Sequence, residues 1–214
     1  YARLGMSKKI TSPVEKLLGF FGKIADSGER LMVLLNDLMD LSVLTSGKMM
    51  YQMKKYDLTW ILKSIMLDIR QVFDEKGIEL IFDLPDFPAT VLCDNVRIEQ
   101  VFRNLLDNSI EYTPQDRQVE VRIVQSDIPR GEGLIPGIKV DVVDHGVGIP
   151  EDERGSIFEK FSQSSRTKTG AGGTGLGLAI CSEIVKQHDG IIKAENNEFG
   201  GATFSVILPF YQSA

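Results

Sequence analysis

Apolar residues follow two regimes along this chain, and the change comes near residue 48. In the first, Leu17, Phe20, Ile24, Leu31, Leu34, Leu38 and Leu41 recur at three- and four-residue intervals, with Ser27 filling one slot. That spacing lines up one apolar stripe on an α-helix. Ser12-Pro13-Val14-Glu15 supplies a capping box with proline at the first helical position, and Gly47 followed by Lys48 supplies a stop. The pattern predicts a helix over 13–46, roughly 50 Å long at about 1.5 Å per residue. A heptad stripe of this kind wants a partner helix; the plainer alternative is a surface helix of one globular fold. Gly19, Gly22 and Gly28 each cost about 1 kcal/mol in a helix interior, so the first half is the weaker. Residues 1–6 read as the tail of a preceding helix, and 7–11 as the turn between them.

Beyond residue 48 the periods of helix and strand mix. Asp57 caps a helix with apolar positions Leu58, Ile61, Leu62, Ile65, Ile69, Val72 and Phe73, which ends at Gly77. Strands are predicted at 78–84 and 90–93, then a helix over 95–112. Two further strands, at 119–125 and 138–143, flank a turn-rich segment with Pro129, Gly131, Gly133 and Pro136. A polar, glycine-rich stretch covers 150–173. A helix to His188 and strands at 191–195 and 202–208 close the chain. Helices and strands do not alternate strictly. The expected fold is therefore α/β, a two-layer sandwich with a mixed sheet and helices on one face, preceded by the long coiled-coil-like helix.

Bulk composition narrows the function classes. A formal net charge of −6 argues against a general nucleic-acid-binding surface. Cys93 and Cys181 cannot make a disulfide framework and share no close metal spacing, so they read as free thiols in a reducing cytosol. No apolar run approaches the ~20 residues that cross a bilayer, and no signal peptide is visible. The chain starts at Tyr1 rather than Met. It is read as a cytoplasmic fragment of a longer protein that could carry a membrane anchor upstream.

Three clusters carry candidate chemistry. On the 95–112 helix, Gln100, Asn104, Asn108 and Glu111 share one face, opposite Ile98, Val101, Phe102 and Leu105. An ordinary solvated face would carry Lys and Glu; two amides in line can instead offer carbonyl oxygens to a hard cation such as Mg²⁺. Asp144-His145-Gly146-Val147-Gly148 follows a strand. An acidic residue there can accept from an exocyclic amine while the glycines let the backbone approach a ring; a plain turn is the alternative. Gly170 to Leu178, with glycine at 170, 172, 173, 175 and 177, opens a helix, an arrangement of backbone N–H groups suited to anions. No Gly-Lys-Ser/Thr follows, and Ile180 stands where a dinucleotide fingerprint wants glycine or alanine. A flexible hinge is the other reading. Arg166 and Lys168, after Phe158-Glu159-Lys160-Phe161, add cations that could meet phosphates.

In this order and at these distances, the clusters resemble the GHKL ATP-binding fold shared by histidine kinases, DNA gyrase, MutL-type repair proteins and the large heat-shock chaperone ATPase. Gln100-x-x-x-Asn104-x-x-x-Asn108 resembles the N box, Asp144-x-Gly146-x-Gly148 the G1 box, and Phe158 to Phe161 the F box of the ATP lid. Gly173-Thr174-Gly175-Leu176-Gly177-Leu178 resembles the G2 box, and Gly200-Gly201-Ala202-Thr203-Phe204 the last glycine box. Residues 27–48 are similar to the second helix of the kinase dimerisation and phosphotransfer domain, and Tyr1 to Met6 to the end of its first helix.

The resemblance implies a division at residue 48. Residues 1–47 would be part of a helical hairpin, and 48–214 the catalytic ATP-binding domain. It implies ATP with adenine at Asp144, Mg²⁺ at Asn104 and Asn108, and catalysis involving Gln100, Asn104 and Asn108. The other nucleotide contacts it implies are Glu111, Tyr112, Gly146, Gly148, Ile149, Lys160, Phe161, Arg166, Gly173 to Leu178, and Thr203. The γ-phosphoryl would go to a histidine one to four helical turns before Tyr1 and then to a response regulator receiver domain, with the protein a homodimer through its hairpin. Hydrolysing members carry a Glu at the start of the N box; Gln100 there is an amide that cannot act as a base, which favours a kinase. His145 falls at a variable position, and His188 reads as a helix-end residue favoured by the dipole. The alternative is a degenerate scaffold, because Glu111 stands where the family usually has Lys or Arg.

Overall fold

The computed structural model describes residues 14–47, 49–162 and 174–211. The proposed cap at Ser12 and Pro13 and the segment before it lie outside these residues. Helix α1 (Val14–Thr45) runs 32 residues, close to the extent its stripe predicts, and Gly47 takes the left-handed conformation of a helix stop (φ 66°). Its stripe is largely uncovered: Leu31 is 65% and Leu38 53% exposed, and among its described side chains only Leu41 and Leu44, near its end, are buried, joining the core of the following domain.

That domain begins with β1 (Lys54–Asp57), too short and polar to announce itself in the sequence. It leads into α2 (Leu58–Lys76), whose N-cap Asp57 accepts from the Thr59 amide and whose C-cap is Gly77. Then come β2 (Glu79–Asp83), β3 (Thr90–Cys93), α3 (Asn95–Tyr112), β4 (Gln118–Arg130), β5 (Gly133–Asp144), α4 (Gly177–Gln187), β6 (Ile191–Asn196) and β7 (Ala202–Pro209). β1 and β3 pair antiparallel as a small separate sheet. The main sheet has the order β2-β4-β5-β7-β6, with β2 parallel to β4 and every other pair antiparallel. It is the mixed sheet expected, with α2, α3 and α4 over one face. Phe73, Phe102, Leu105 and Ile180 fill the layer between, against Val121, Val140 and Val206, all fully buried.

Two expectations change. The turn-rich segment around Pro129 and Pro136 is no irregular loop. β4 and β5 extend through it as one long hairpin, with Arg130 opposite Gly133 and Gly131 left-handed at the tip (φ 60°). Proline is tolerated because the ribbon has a free side there. β2 reaches only to Arg122 of β4, and β7 joins β5 only from Gly137, so neither proline withholds an N–H from a central ladder. His188, read as a dipole-favoured helix end, is buried and structural. Its Nε2 accepts from the Asp94 amide (3.0 Å), so its Nδ1 carries the proton donated to the Ile184 carbonyl (2.7 Å). Tyr51 packs edge-on against its ring. Burial is the main influence on the imidazole and lowers its pKa, which the Ile184 hydrogen bond, Asp94 and Asp189 partly offset.

Candidate functional site

A cavity of about 300 Å³ opens where the far face of α3, the end of β5, the start of α4 and one side of α1 converge. Asp144 stands at one wall, 4% exposed. One of its oxygens, Oδ1, accepts from the Gly146 amide (2.8 Å) and the Ala202 amide (3.0 Å). Neither bond uses the second oxygen. Burial, the largest influence, raises the carboxyl pKa; the two backbone donors and His145 work against it. Two glycines make this packing possible. A Cβ on Gly201 would lie 2.1 Å from the Asp144 carbonyl oxygen, and one on Gly146 would lie 2.6 Å from that of Tyr112. Asn196, the last residue of β6, and Asn197, the first of the turn to β7, brace the loop from behind. Asn196 bonds both the amide and the carbonyl of Ile149 (2.7 and 2.8 Å), and Asn197 donates to the Asp144 carbonyl (2.9 Å).

On α3, Asn104, Asp107, Asn108 and Tyr112 line the cavity. The Asn104 amide nitrogen donates to the Gly177 carbonyl (3.3 Å), which leaves its oxygen to offer. With the Asn108 amide one turn away, the donor set is hard and oxygen-rich and fits Mg²⁺. Asp107 is exposed at the rim, yet the protein crowding its carboxyl raises its pKa, with Arg103 partly offsetting this. At the start of α4, Thr174, Gly175 and Gly177 line the cavity. The Thr174 hydroxyl accepts from the Leu176 amide (3.2 Å), and Gly175 is left-handed (φ 69°).

The structure thus brings together Asn104, Asn108, Tyr112, Asp144, Gly148, Ile149, Thr174, Gly175, Gly177 and Leu178. Others named from the sequence stand elsewhere. Gln100 lies a turn before Asn104 on α3, outside the cavity, where it donates to Asp40 of α1 (2.9 Å) and accepts from Arg97 (2.8 Å). Glu111 is exposed and outside it too, and does not pair with Arg103, whose guanidinium is held by Glu99 and Asp68. Lys160 and Phe161 are exposed beside the cavity; the Phe161 amide donates to the Gly175 carbonyl (2.9 Å), so that segment braces the glycine turn through its backbone. Leu176 is buried behind it, and Thr203 faces the Asn197 clasp. Gly146 serves through its amide. Arg166 and Gly173 lie outside the described residues.

The sequence reading missed Val33 and Asp37 of α1, Asp107, Val147, Ile157, Ser162, Ala202 and Phe204. Asp107 shares the α3 face with Asn104 and Asn108, and Ala202 and Phe204 alternate on β7, so periodicity could have found them. Nothing local points to Asp37.

Residues 93–212 match the family model of histidine kinase-, DNA gyrase B-, and HSP90-like ATPases. Over 180 residues the chain is 35% identical to the signal transduction histidine-protein kinase BaeS of Escherichia coli, covering 84% of this chain and 37% of that one. Over 187 residues it is 34% identical to the sensor histidine kinase WalK of Bacillus subtilis, covering 85% and 29%. The chain therefore spans well under half of these curated relatives. Full-length ShkA, solved in complex with AMPPNP, superposes with a TM-score of 0.73 at 25% identity, over 99% of this chain and 43% of that one. The Acinetobacter baumannii histidine kinase AdeS shares the fold, with a TM-score of 0.71 at 22% identity over 98% and 91%.

Proposed function

The chain belongs to the family of histidine kinase-, DNA gyrase B-, and HSP90-like ATPases, and on that premise we propose that it is the ATP-binding core of a sensor histidine kinase. In this reading residues 48–214 form the catalytic domain, and 1–47 belong to a dimerising helical hairpin. The γ-phosphoryl of ATP goes to a histidine of the hairpin's first helix and then to a receiver domain. The observation that carries it is the single cavity in which a buried carboxylate with one oxygen to spare, two amides in line and a glycine-opened helix start face one another.

Each feature has a distinct task. The second oxygen of Asp144 accepts from the adenine amine, since its partner is already held by two amides. The start of α4 attracts phosphate through its free N–H groups. Asn104 and Asn108 would hold Mg²⁺, which when bound neutralises phosphate charge. The remaining catalysis is positioning of the γ-phosphoryl group for transfer. The kinase-over-hydrolase preference cannot rest on Gln100, which lies outside the cavity. It rests on the attached helix and on the kinase relatives. The exposure of Glu111 away from the cavity weighs against the scaffold alternative.

The test is to give the chain γ-labelled ATP and a separate two-helix acceptor bearing the phosphorylatable histidine. Acid-labile, base-stable label on the acceptor is expected. Free phosphate released at the same rate without acceptor would show hydrolysis, with Asp107 as the candidate base. No ATP binding at all would return the chain to the scaffold reading.

A further inference from the structure

Helix α1 does more than lean on the domain: it places a carboxylate inside the cavity. Asp37 lines it and accepts a hydrogen bond from the Thr174 hydroxyl (2.7 Å) at the start of α4. Three residues on, hence on the same helix face, Asp40 accepts from Gln100 (2.9 Å) and pairs with Arg97 (3.6 Å). Leu41 and Leu44 are buried just beyond. The two polar contacts and the apolar anchor fix α1 in register, so Asp37 cannot leave the cavity by a side-chain turn alone without giving up Thr174. The negative group at the helix start is thus supplied by the protein itself.

We propose that Asp37 is a specificity-determining residue: its carboxylate, held by Thr174, takes the place a terminal phosphate would need, so the chain with α1 docked accepts ADP more readily than ATP. This rests on the reading of the cavity as an adenine-nucleotide site. On that reading, with the base at Asp144 and the phosphates toward the start of α4, the terminal phosphate of ATP is the group placed against Asp37, and a diphosphate is one group shorter. A triphosphate must either displace the Asp37–Thr174 bond, dragging on the Asp40 clamp, or tolerate like charge at close range. ATP binding and α1 docking then oppose each other by the same factor in both directions.

Calorimetric titrations of the whole chain with adenosine, ADP and ATP, for the parent and Asp37→Asn, test this. Asparagine can still accept from Thr174, so the change isolates the charge. We expect ATP affinity to rise about tenfold, as for one partly screened unit charge, ADP to gain less than about threefold and adenosine to stay constant, with the melting temperature unmoved. Asp40→Asn, which loosens the clamp from outside the cavity, should raise ATP affinity in the same sense by a smaller factor. An unchanged ATP-to-ADP ratio in Asp37→Asn would overturn the inference while leaving the nucleotide site standing. A Mg²⁺-dependent loss of ATP affinity would also overturn it, making Asp37 a cation ligand. Failure of both adenosine and ADP to bind either protein would overturn the nucleotide-site reading, and this inference with it.

Discussion

Helix α1 and the domain after it are built from similar apolar residues and use them in opposite ways. In the domain, the apolar faces of α2, α3 and α4 close on a sheet, and Phe73, Phe102, Leu105 and Ile180 are fully buried. In α1, the periodic leucines are mostly exposed, and the contacts that reach the domain include Val33, Asp37, Asp40, Leu41 and Leu44. Periodicity therefore marks a face that wants covering without saying what covers it. In the domain the cover is the same chain; on α1 the stripe stays open to a partner helix. The residues that join the two regions are of both kinds: Asp37 and Asp40 bond across to Thr174 and Gln100, and Leu41 and Leu44 enter the core at the end of α1, while the rest of the stripe stays outside it.

The contrast breaks most sharply through stability. Phe102→Ala should cost about 3–5 kcal/mol of unfolding free energy, the usual range for emptying a large core site. Leu31→Ala, on the open stripe, should cost the isolated chain under about 0.5 kcal/mol. Denaturant unfolding measures both. Equal losses would mean that the Leu31 stretch of α1 is part of the domain's core.

Within the domain, Asp144→Asn keeps Oδ1 available to the Gly146 and Ala202 amides but turns the second position from acceptor to donor. Adenosine affinity should fall by about 1.5–3 kcal/mol, roughly ten- to a hundredfold, with little change in melting temperature. Equal affinity in the two proteins would remove Asp144 from base recognition.

His188 offers a smaller handle on how β3, α3 and α4 are tied together. Its folded pKa lies below its ordinary value, because burial favours the neutral ring. The unfolded chain therefore takes up the proton first as pH falls. The stability held by the neutral ring is complete above the unfolded pKa of about 6.5 and is lost as pH drops below it toward the folded value. Urea unfolding at two pH values on either side of 6.5 should show this loss in the parent and a weaker one in His188→Gln. Identical pH slopes would place the dependence on other groups.

The smallest effect is expected at Glu111. The sequence alone puts it on the phosphate-facing stripe, where Glu111→Lys would tighten ATP binding by up to about 1.5 kcal/mol. Its exposed place outside the cavity cuts the expected gain to under about 0.5 kcal/mol, and less at high salt. A larger gain, greater for ATP than ADP, would show that the side chain swings in when nucleotide is present.

The sequence by itself determined most of the element plan and much of the lining of the candidate cavity. Asp57, Gly77 and the apolar spacing of α2 and α3 set those helices locally, because caps and periodicity act over a few residues. Asn104, Asn108, Asp144 and the glycines before α4 could be recognised because each is an unusual residue type for its local pattern, and four such departures in a fixed order carry more information than any one. Tertiary structure alone decided the rest. It separated Gln100 and Glu111 from the cavity despite their shared stripe with Asn104. Gln100 lies one turn before the part of α3 that lines the cavity, whereas Glu111, between the lining residues Asn108 and Tyr112, is left exposed to solvent. It let the proline-bearing hairpin stay paired, since a ladder's free side is set by where its neighbours end. And it put Asp37 against Thr174, 137 positions away in the chain, a meeting fixed by how α1 docks and written in no local pattern.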